Sequence, residues 1–231
     1  MAHAKVTEST RPGAHGHLGS GVGALTVDWT GTSGSATREV TASTMLLRRA
    51  EDGWQVGLVW HERLQCHVPA GGHLEAGEGV EGAARREVWE ETGLTARLIP
   101  GPAAPLPDGF PHLPVPAAWW ITEGQAGADG HTRTRHVHLD HIYLALVGTA
   151  PRTLGHIPDH QLNWFSRTRL ETDPSVSPDS RLLALHVLAW LCGAPAAAED
   201  DPGLLAVHLA ERAKQQHHQP REDRAHPACD A

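Results

Sequence analysis

The most informative segment of this chain reads Gly72-His73-Leu74-Glu75-Ala76-Gly77-Glu78 and, after seven further residues, Arg86-Glu87-Val88-Trp89-Glu90-Glu91-Thr92-Gly93-Leu94. The glycines flank a stretch that we expect to be helical. On a helix, Glu87, Glu90 and Glu91 stand at positions i, i+3 and i+4 and therefore share one face. Like charges so close together destabilise a helix unless a cation lies among them, and Mg²⁺ prefers carboxylate oxygens. The segment predicts either a solvated acidic face or a site for a divalent cation.

The predicted helix also has a face that can pack on a core and a signal for its end. Val80, Ala84 and Val88 recur at i, i+4 and i+8 beside the acidic face, which is the spacing of a buried apolar stripe. Gly93 follows the carboxylates and has the conformational freedom that ends many helices. We therefore expect a short helix that is anchored on one side and acidic on another.

The spacing of all the defined residues in the segment helps to choose between a solvated acidic face and a cation site. Its defined positions are Gly72, Glu78, Arg86-Glu87, apolar Val88, Glu90-Glu91, Gly93 and apolar Leu94. The segment resembles the Nudix box at every one of these positions. The elements before it, two predicted strands at 40–48 and 54–60 joined by a turn and then a Pro/Gly loop, also follow the order found in Nudix proteins. The resemblance extends over roughly residues 40–94, and more weakly to residue 191.

The composition limits the classes of protein and partner. The 231 residues are 40% apolar and 20% charged, which indicates a soluble globular protein with one domain and tails. The net charge of −8 argues against a nucleic-acid polymer as partner, because no basic excess is present to neutralise phosphates. Three cysteines without a CxxC pair fit a cytoplasmic setting, and we find neither a signal peptide nor an apolar run long enough for a membrane span. The 18 histidines are scattered and show no zinc-ligand spacing.

The rest of the chain divides into three predicted parts. We expect a flexible N-terminal segment at 1–23, a Nudix domain at 24–195, and a linker with a short helix and polar tail at 196–231. Strands are predicted at 24–29, 95–99, 117–122 and 136–147, a short apolar piece at 162–165, and an apolar helix at 181–192. The Pro-rich loop 100–116 and the Gly-rich loop 123–135 are candidates for substrate selectivity.

The resemblance implies a set of metal ligands. In the Nudix family the first and last glutamates of the second half of the box hold the metal, which corresponds to Glu87 and Glu91 here, with Glu90 beside them. The first glycine of the box, Gly72, donates its backbone carbonyl. The implied cofactor is Mg²⁺ or Mn²⁺. We expect Arg86 to pair with Glu78 or to orient the ligands rather than to touch the substrate.

The general base is left open by the sequence. Within the box, Glu87 or Glu90 can serve, with Arg86 as a further catalytic candidate. Carboxylates outside the box are also candidates, namely Asp140, Glu123, Asp159 and Glu171. We favour Asp140 among these because the strand 136–147 is expected to border the cleft.

Two groups of residues are candidates for substrate binding. His136, His138 and Asp140 alternate along one strand and share a face. That face is either a wall of the substrate site, a second metal position, or a solvent-facing surface. Trp119 and Trp120 offer a ring for stacking on a nucleobase, although packing in the core is the more frequent role of tryptophan.

Together these expectations describe a Nudix-type α/β/α sandwich with a mixed curved sheet. The resemblance implies a metal-dependent hydrolase of a pyrophosphate bond in a nucleoside diphosphate linked to another moiety, such as a nucleotide-sugar, ADP-ribose or a modified nucleoside triphosphate. Two alternatives remain: a non-catalytic nucleotide sensor, which the intact carboxylate set argues against, and a decapping enzyme, which the acidic balance argues against. A homodimer is compatible with the family.

Overall fold

The computed structural model describes residues 37–147 and 159–218. The predicted N-terminal segment at 1–23 and the predicted strand at 24–29 lie outside the described residues, as do residues 219–231 of the tail. The described strands are β1 (Arg38–Ala50), β2 (Gly53–His61), β3 (Cys66–Val68), β4 (Ala70–His73), β5 (Ala96–Ile99), β6 (Trp120–Ala126), β7 (His136–Val147) and β8 (Leu162–Phe165). The described helices are α1 (Val80–Thr92), α2 (Arg167–Thr172), α3 (Pro178–Leu191) and α4 (Pro202–His218), with a 3₁₀ turn at Ala196–Ala198.

A mixed sheet is built around two long parallel strands. β1 and β7 pair in parallel from Arg38 opposite Val137 to Leu47 opposite Leu146. The other edge of β1 pairs antiparallel with β4 along its first half and with β2 along its second half. The other edge of β7 pairs antiparallel with β6 and then with β5. The predicted mixed sheet is therefore confirmed, and its centre is the parallel pair.

Helices cover both faces of this sheet because apolar side chains alternate along β1. Leu46 packs with Ala84 and Val88 of α1 on one face. Met45 and Leu47 pack on the opposite face in the core that contains α3 and α4. Successive residues of a strand point to opposite faces, so a continuous apolar run supplies both cores. This arrangement confirms the predicted α/β/α sandwich.

The segment 69–72, expected to be a Pro/Gly loop, instead contributes β4. Gly71 lies opposite Ser43 of β1, and a Cβ atom on Gly71 would lie 2.4 Å from the carbonyl oxygen of Ala42. Only glycine allows the two backbones to approach so closely. β4 brings the start of the box against α1 on one side and against β1 on the other.

The helix α1 forms as the sequence predicts. Its buried side includes Ala84 and Val88, and Gly93 ends it in the left-handed conformation (φ 68°) with its N–H bonded to the Trp89 carbonyl. The predicted helix at 181–192 begins earlier, at Pro178, because the Ser177 side chain accepts a hydrogen bond from the backbone N–H of Ser180 and caps it.

The helix expected beyond residue 195 packs on the core. Leu205 and Leu209 of α4 are fully buried in the core that contains α3, as is Ala198 of the 3₁₀ turn. The packed part of the protein therefore extends into the segment 196–231. None of the helices among the described residues has the length and apolar character needed to cross a membrane.

Candidate active site

A single arginine organises the acidic face of α1. Arg86 Nη1 lies 2.8 Å from Glu87 Oε1 and 2.8 Å from Glu90 Oε2. Its Nη2 donates to Glu78 Oε2 at 3.0 Å and to the His73 carbonyl at 2.9 Å. These hydrogen bonds, chiefly those to Glu78, raise the pKa of Arg86. The expected pairing of Arg86 with Glu78 is confirmed, and the same guanidinium orients two of the three predicted metal ligands.

Glu91 occupies the most buried position among the three glutamates. Its side chain is only 11% exposed, and Oε2 accepts a hydrogen bond from the Gly71 backbone N–H at 3.0 Å. His160 Nε2 lies 3.2 Å from the other carboxylate oxygen. Burial and, next, the charge of Glu87 raise the pKa of Glu91 to about 8. An anion in such a place is unstable unless a positive partner is added.

Gly72 lies against the second buried carboxylate. A Cβ atom on Gly72 would lie 2.4 Å from Glu87 Oε1, so this position admits only a glycine unless the Glu87 side chain moves. Burial also raises the pKa of Glu87, although Arg86 acts against that change. Gly72, Glu87 and Glu91 thus meet where β4 crosses α1. Their donor atoms are oxygens, and two carboxylates there have raised pKa values, so the residues fit a hard divalent cation.

A cavity of about 800 Å³ opens along β4. Gly71 and Gly72 line it, while on their other side they contact Glu91 and Glu87. The remaining wall includes residues of β1, β6 and β7, among them Thr41, Trp120, Glu123, His138 and Asp140. At this point only the backbone of Gly71 and Gly72 lies between the cavity and the buried carboxylates of Glu91 and Glu87.

The comparison with protein families decides the identity of this arrangement. A model described as the NUDIX domain matches residues 37–186, which is more than half of the chain. This chain belongs to the Nudix family. A search of curated proteins found no match. The Nudix domain identifies the protein as an enzyme of the pyrophosphohydrolase class.

A search of solved structures found matches to about two thirds of this chain. A NUDIX-family hydrolase from Clostridium perfringens is 22% identical, with 67% of this chain and 99% of that chain covered and a TM-score of 0.51. A MutT NUDIX hydrolase from Burkholderia pseudomallei is 21% identical over 65% of this chain and 97% of its own (TM-score 0.40). An Ap4A hydrolase from C. elegans is 14% identical over 65% and 97% (TM-score 0.42). At these identities the likeness concerns the fold.

The candidates for the general base of this Nudix enzyme differ in their position relative to the cavity. Asp140 lines the cavity and accepts a hydrogen bond from Thr41 Oγ1 at 2.9 Å. Glu123 also lines it but pairs with Arg38 at 3.0 Å. The Asp159 backbone N–H bonds the Glu90 carbonyl, and the charge of Asp159 helps raise the pKa of Glu91. The fourth candidate, Glu171, does not line the cavity and pairs with Arg167 on α2. The role of each remains a prediction.

The two candidate tryptophans have different environments. Trp119 is buried in the core, where its Nε1 donates to the Ile99 carbonyl at 2.9 Å, and it does not line the cavity. Trp120 lines the cavity and stacks on Trp190 with ring centroids 5.6 Å apart. Of the two tryptophans, only Trp120 lines the cavity.

The three residues of the polar face predicted along β7 also lie in different environments. His138 and Asp140 line the cavity, whereas His136 is 2% exposed and its ring contacts Asp129 instead. This burial disfavours direct contact of His136 with a substrate. Of the three predicted residues, His138 and Asp140 therefore form part of the cavity wall, and His138 also contacts the buried His136 through Nε2 atoms 2.8 Å apart.

Sequence reasoning missed three residues near these sites: His73, Asp129 and His160. His73 occupies an undefined position of the Nudix box, and Asp129 lies in a polar loop. His160 follows a segment outside the described residues and reaches Glu91 only through the fold. No spacing in the sequence connects any of them with its neighbours in space, so only long-range pairing could have revealed them.

Proposed function

We propose that this Nudix protein uses Mg²⁺ or Mn²⁺ to hydrolyse a pyrophosphate bond in a nucleoside diphosphate linked to another moiety. The substrate classes that we consider are nucleotide-sugars, ADP-ribose and modified nucleoside triphosphates. The observation that carries the proposal is the position of Glu87 and Glu91 directly behind Gly71 and Gly72 of the cavity wall. A substrate in the cavity would lie against the opposite side of these two glycines, one strand away from the buried carboxylates.

The residues present support distinct roles in such a reaction. Glu87, Glu91 and the Gly72 backbone would hold the cation, which supplies neutralisation of the phosphate charge and a more acidic water. Arg86 holds Glu87 and Glu90 in place through bonds of 2.8 Å to each. Glu90 is the more exposed of the two, with 37% of its side chain accessible, and can take a proton from water.

The cavity wall supports a small nucleotide as the substrate. A volume of about 800 Å³ lies within the range of small-molecule sites. Trp120 offers a ring for a base, and Asp140, held by Thr41, offers a carboxylate that can bind a hydroxyl or act as the base. The net charge of −8 continues to argue against a nucleic-acid polymer. A cytoplasmic location and a homodimer stay predictions.

A hydrolysis screen tests the proposal. Nucleoside triphosphates, nucleotide-sugars, ADP-ribose and dinucleoside polyphosphates are incubated with the full chain and Mg²⁺ or Mn²⁺, and released phosphate or nucleotide is measured. We expect turnover of at least one class that is abolished in Glu91→Gln. Glu75→Gln is the matched control, because Glu75 is an exposed glutamate of the same segment.

Two results would contradict the proposal. Turnover that is unchanged in Glu91→Gln would remove the carboxylate site from the mechanism. Tight binding of a nucleotide without turnover anywhere in the panel would identify the protein as a nucleotide sensor instead. Activity on capped RNA alone would indicate a decapping enzyme.

A further inference from the structure

A second group of potential metal ligands lies on the opposite face of the sheet from α1. It consists of His73 at the end of β4, Asp129 in the loop between β6 and β7, and His136 and His138 of β7, and one ligand atom from each lies within 4.8 Å of all the others. Tyr143 and Ala145 of β7 pack toward α1, so the even-numbered His136 and His138 point the other way. This group, which we call the histidine cluster, lies on the cavity side of the sheet, where His73, Asp129 and His138 line the cavity, and β4 separates it from the glutamates of the Nudix box.

The distances in the histidine cluster suit a small tetrahedral ion. Asp129 Oδ2 lies 3.2 Å from His136 Nε2, 3.7 Å from His138 Nε2 and 3.8 Å from His73 Nε2. The His136 and His138 Nε2 atoms are 2.8 Å apart. Zinc–nitrogen and zinc–oxygen bonds of ~2.0–2.1 Å imply ligand-to-ligand edges of about 3.3 Å in a tetrahedron. The observed separations between ligand atoms lie on both sides of that value. Small movements of the side chains would therefore bring all four atoms into a tetrahedron around the ion.

Hydrogen bonds outside the histidine cluster orient two of its members. His136 Nδ1 lies 3.0 Å from the Thr134 carbonyl, which can only accept, so Nδ1 carries the proton and Nε2 presents its lone pair. Asp129 Oδ1 accepts the backbone N–H groups of His131 and Thr132, which leaves Oδ2 for the imidazoles. These backbone bonds, that from Thr132 first, lower the pKa of Asp129 to about 2 and keep it ionised.

The third imidazole is buried with an unused nitrogen. His73 Nε2 has no hydrogen-bond partner, although it lies 3.0 Å from Glu39 Oε2. A buried polar atom without a partner destabilises a fold, so a ligand for it is expected. Burial lowers the pKa values of His73 and His138, which favours the neutral imidazole that binds metals.

We propose that His73, Asp129, His136 and His138 bind one divalent transition-metal ion of the zinc type. Imidazole nitrogens with a single carboxylate are ligands that Zn²⁺ and Co²⁺ accept and that Mg²⁺ does not favour. The bound ion holds the loop 127–135 against β4 and β7. It also restrains the start of the Nudix box, because His73 follows Gly72 directly and its carbonyl accepts a hydrogen bond from Arg86. The site exists whether or not the glutamates catalyse hydrolysis.

Metal binding to the full chain tests this proposal without any activity assay. The protein is stripped with a chelator, titrated with Zn²⁺ by calorimetry, and separately loaded with Co²⁺, whose absorption is intense only in tetrahedral sites. The variants Asp129→Asn and His138→Gln each remove one ligand. The matched controls are His112→Gln, an exposed histidine of the loop 100–116, and Glu91→Gln in the Nudix box.

We expect wild type and both controls to bind one equivalent of Zn²⁺ that the two ligand variants bind at least 100-fold more weakly. Saturating Zn²⁺ should raise Tm by about 5 °C in wild type and not in Asp129→Asn. Because the chain has 18 histidines, the difference between variants and controls is the readout, not total zinc. Tm in chelator shows whether each variant is folded.

Three results would overturn the proposal. Equal zinc affinity in wild type and in a folded ligand variant would place the metal elsewhere. Loss of the equivalent in Glu91→Gln would assign it to the Nudix box. A weak octahedral Co²⁺ spectrum in the wild type would exclude the four-ligand site even if both ligand variants failed to fold.

Discussion

Glu91 combines burial, a neighbouring negative charge and a raised pKa in one side chain. The Gly71 backbone N–H and His160 partly compensate its charge. Neither contact fully offsets the free-energy cost of burying the charge, since the pKa of Glu91 remains at about 8. A residue held in so unfavourable a state is typical of a functional site, because the protein gains nothing in stability from it.

The first residue-scale prediction concerns the charge of Glu91. The pKa of Glu91 in the metal-free fold lies far above that of a free glutamate. Stability is therefore full below the unfolded pKa and is lost as pH rises toward about 8. Glu91→Gln should remove this loss and stabilise the metal-free protein at about pH 8.5 by on the order of 2–4 kcal/mol. Urea denaturation at about pH 5 and about pH 8.5 measures it.

Mg²⁺ should reduce the stability difference between wild type and Glu91→Gln at the higher pH, because the cation binds only the ionised site. The exposed Glu75→Gln serves as control and should show no such pH dependence. A Glu91→Gln variant that is less stable than wild type at both pH values would show that the carboxylate is well solvated.

The second residue-scale prediction concerns the space beside Glu87. In Gly72→Ala the new Cβ would lie 2.4 Å from Glu87 Oε1, so the end of a flexible side chain must move and the fold itself need not. We expect at least a tenfold loss of kcat/KM, about 1.4 kcal/mol or more in transition-state binding, with little change in Tm. Steady-state kinetics and a thermal melt measure the two effects.

Matched glycine variants test this explanation. Gly79→Ala meets nothing within 4 Å and should leave kcat/KM unchanged. Gly71→Ala would place its Cβ 2.4 Å from the Ala42 carbonyl oxygen and should lower Tm instead. If Gly72→Ala lowered Tm as much as Gly71→Ala, the close contact between Gly72 and Glu87 would be structural rather than functional.

At the scale of elements, the strands β1 and β7 define the protein. Their apolar residues alternate between two cores, so the same pair of strands carries α1 on one face and α3 with α4 on the other. The two halves of these strands have different environments. The second halves are buried, whereas the first half of β7 contributes His138 and Asp140 to the cavity wall.

The element-scale prediction concerns the packing of β2 against β8. A Cβ atom at Gly57 would lie 2.9 Å from a ring carbon of Trp164 and 3.1 Å from the Leu46 Cβ. Neither neighbour can rotate away freely in a packed sheet, so Gly57→Ala should destabilise the protein by about 1–3 kcal/mol. Chemical denaturation measures this change. Gly124→Ala in β6, which meets open space, is the control, and equal stability of the two variants would contradict the packing described.

At the scale of the whole molecule, α4 extends the body of the protein beyond the Nudix box and its sheet. Leu205 and Leu209 have no exposed surface, whereas Val207 on the same helix is 59% exposed. α4 reaches the core next to β5 and α3, and the Arg97 side chain of β5 bonds the Asp200 carbonyl just before it. The domain limit expected at residue 195 therefore needs an experimental test.

The whole-molecule prediction tests that limit. Leu209→Ala should lower the free energy of unfolding by about 2–4 kcal/mol, because it leaves a cavity in the shared core. Val207→Ala on the exposed side of the helix should change it by no more than about 0.5 kcal/mol. Both are measured by chemical denaturation of the full chain. Equal and small effects of the two substitutions would show that α4 is an appendage and that the limit at 195 is correct.

Several features could be predicted because they depend on neighbours in the sequence. The helix α1 follows from its apolar spacing and Gly93, and β7 appears with the predicted bounds 136–147. The short strands β3 and β4 were not predicted, because β4 contains two adjacent glycines, which disfavour a strand, and β3 has only three residues. The environments of Trp119 and Trp120 differ although the residues are adjacent, since alternation along the chain sends one ring into the core.

The sequence by itself determined the Nudix family, the acidic helix and the pairing of Arg86 with Glu78, because each rests on spacing within one short segment. Only the tertiary structure decided that Glu91 is buried behind Gly71, and that His73 and Asp129 join His136 and His138. These contacts join residues from separate strands and loops. Their distances depend on the register of β1 with β4 and β7, which no local pattern encodes.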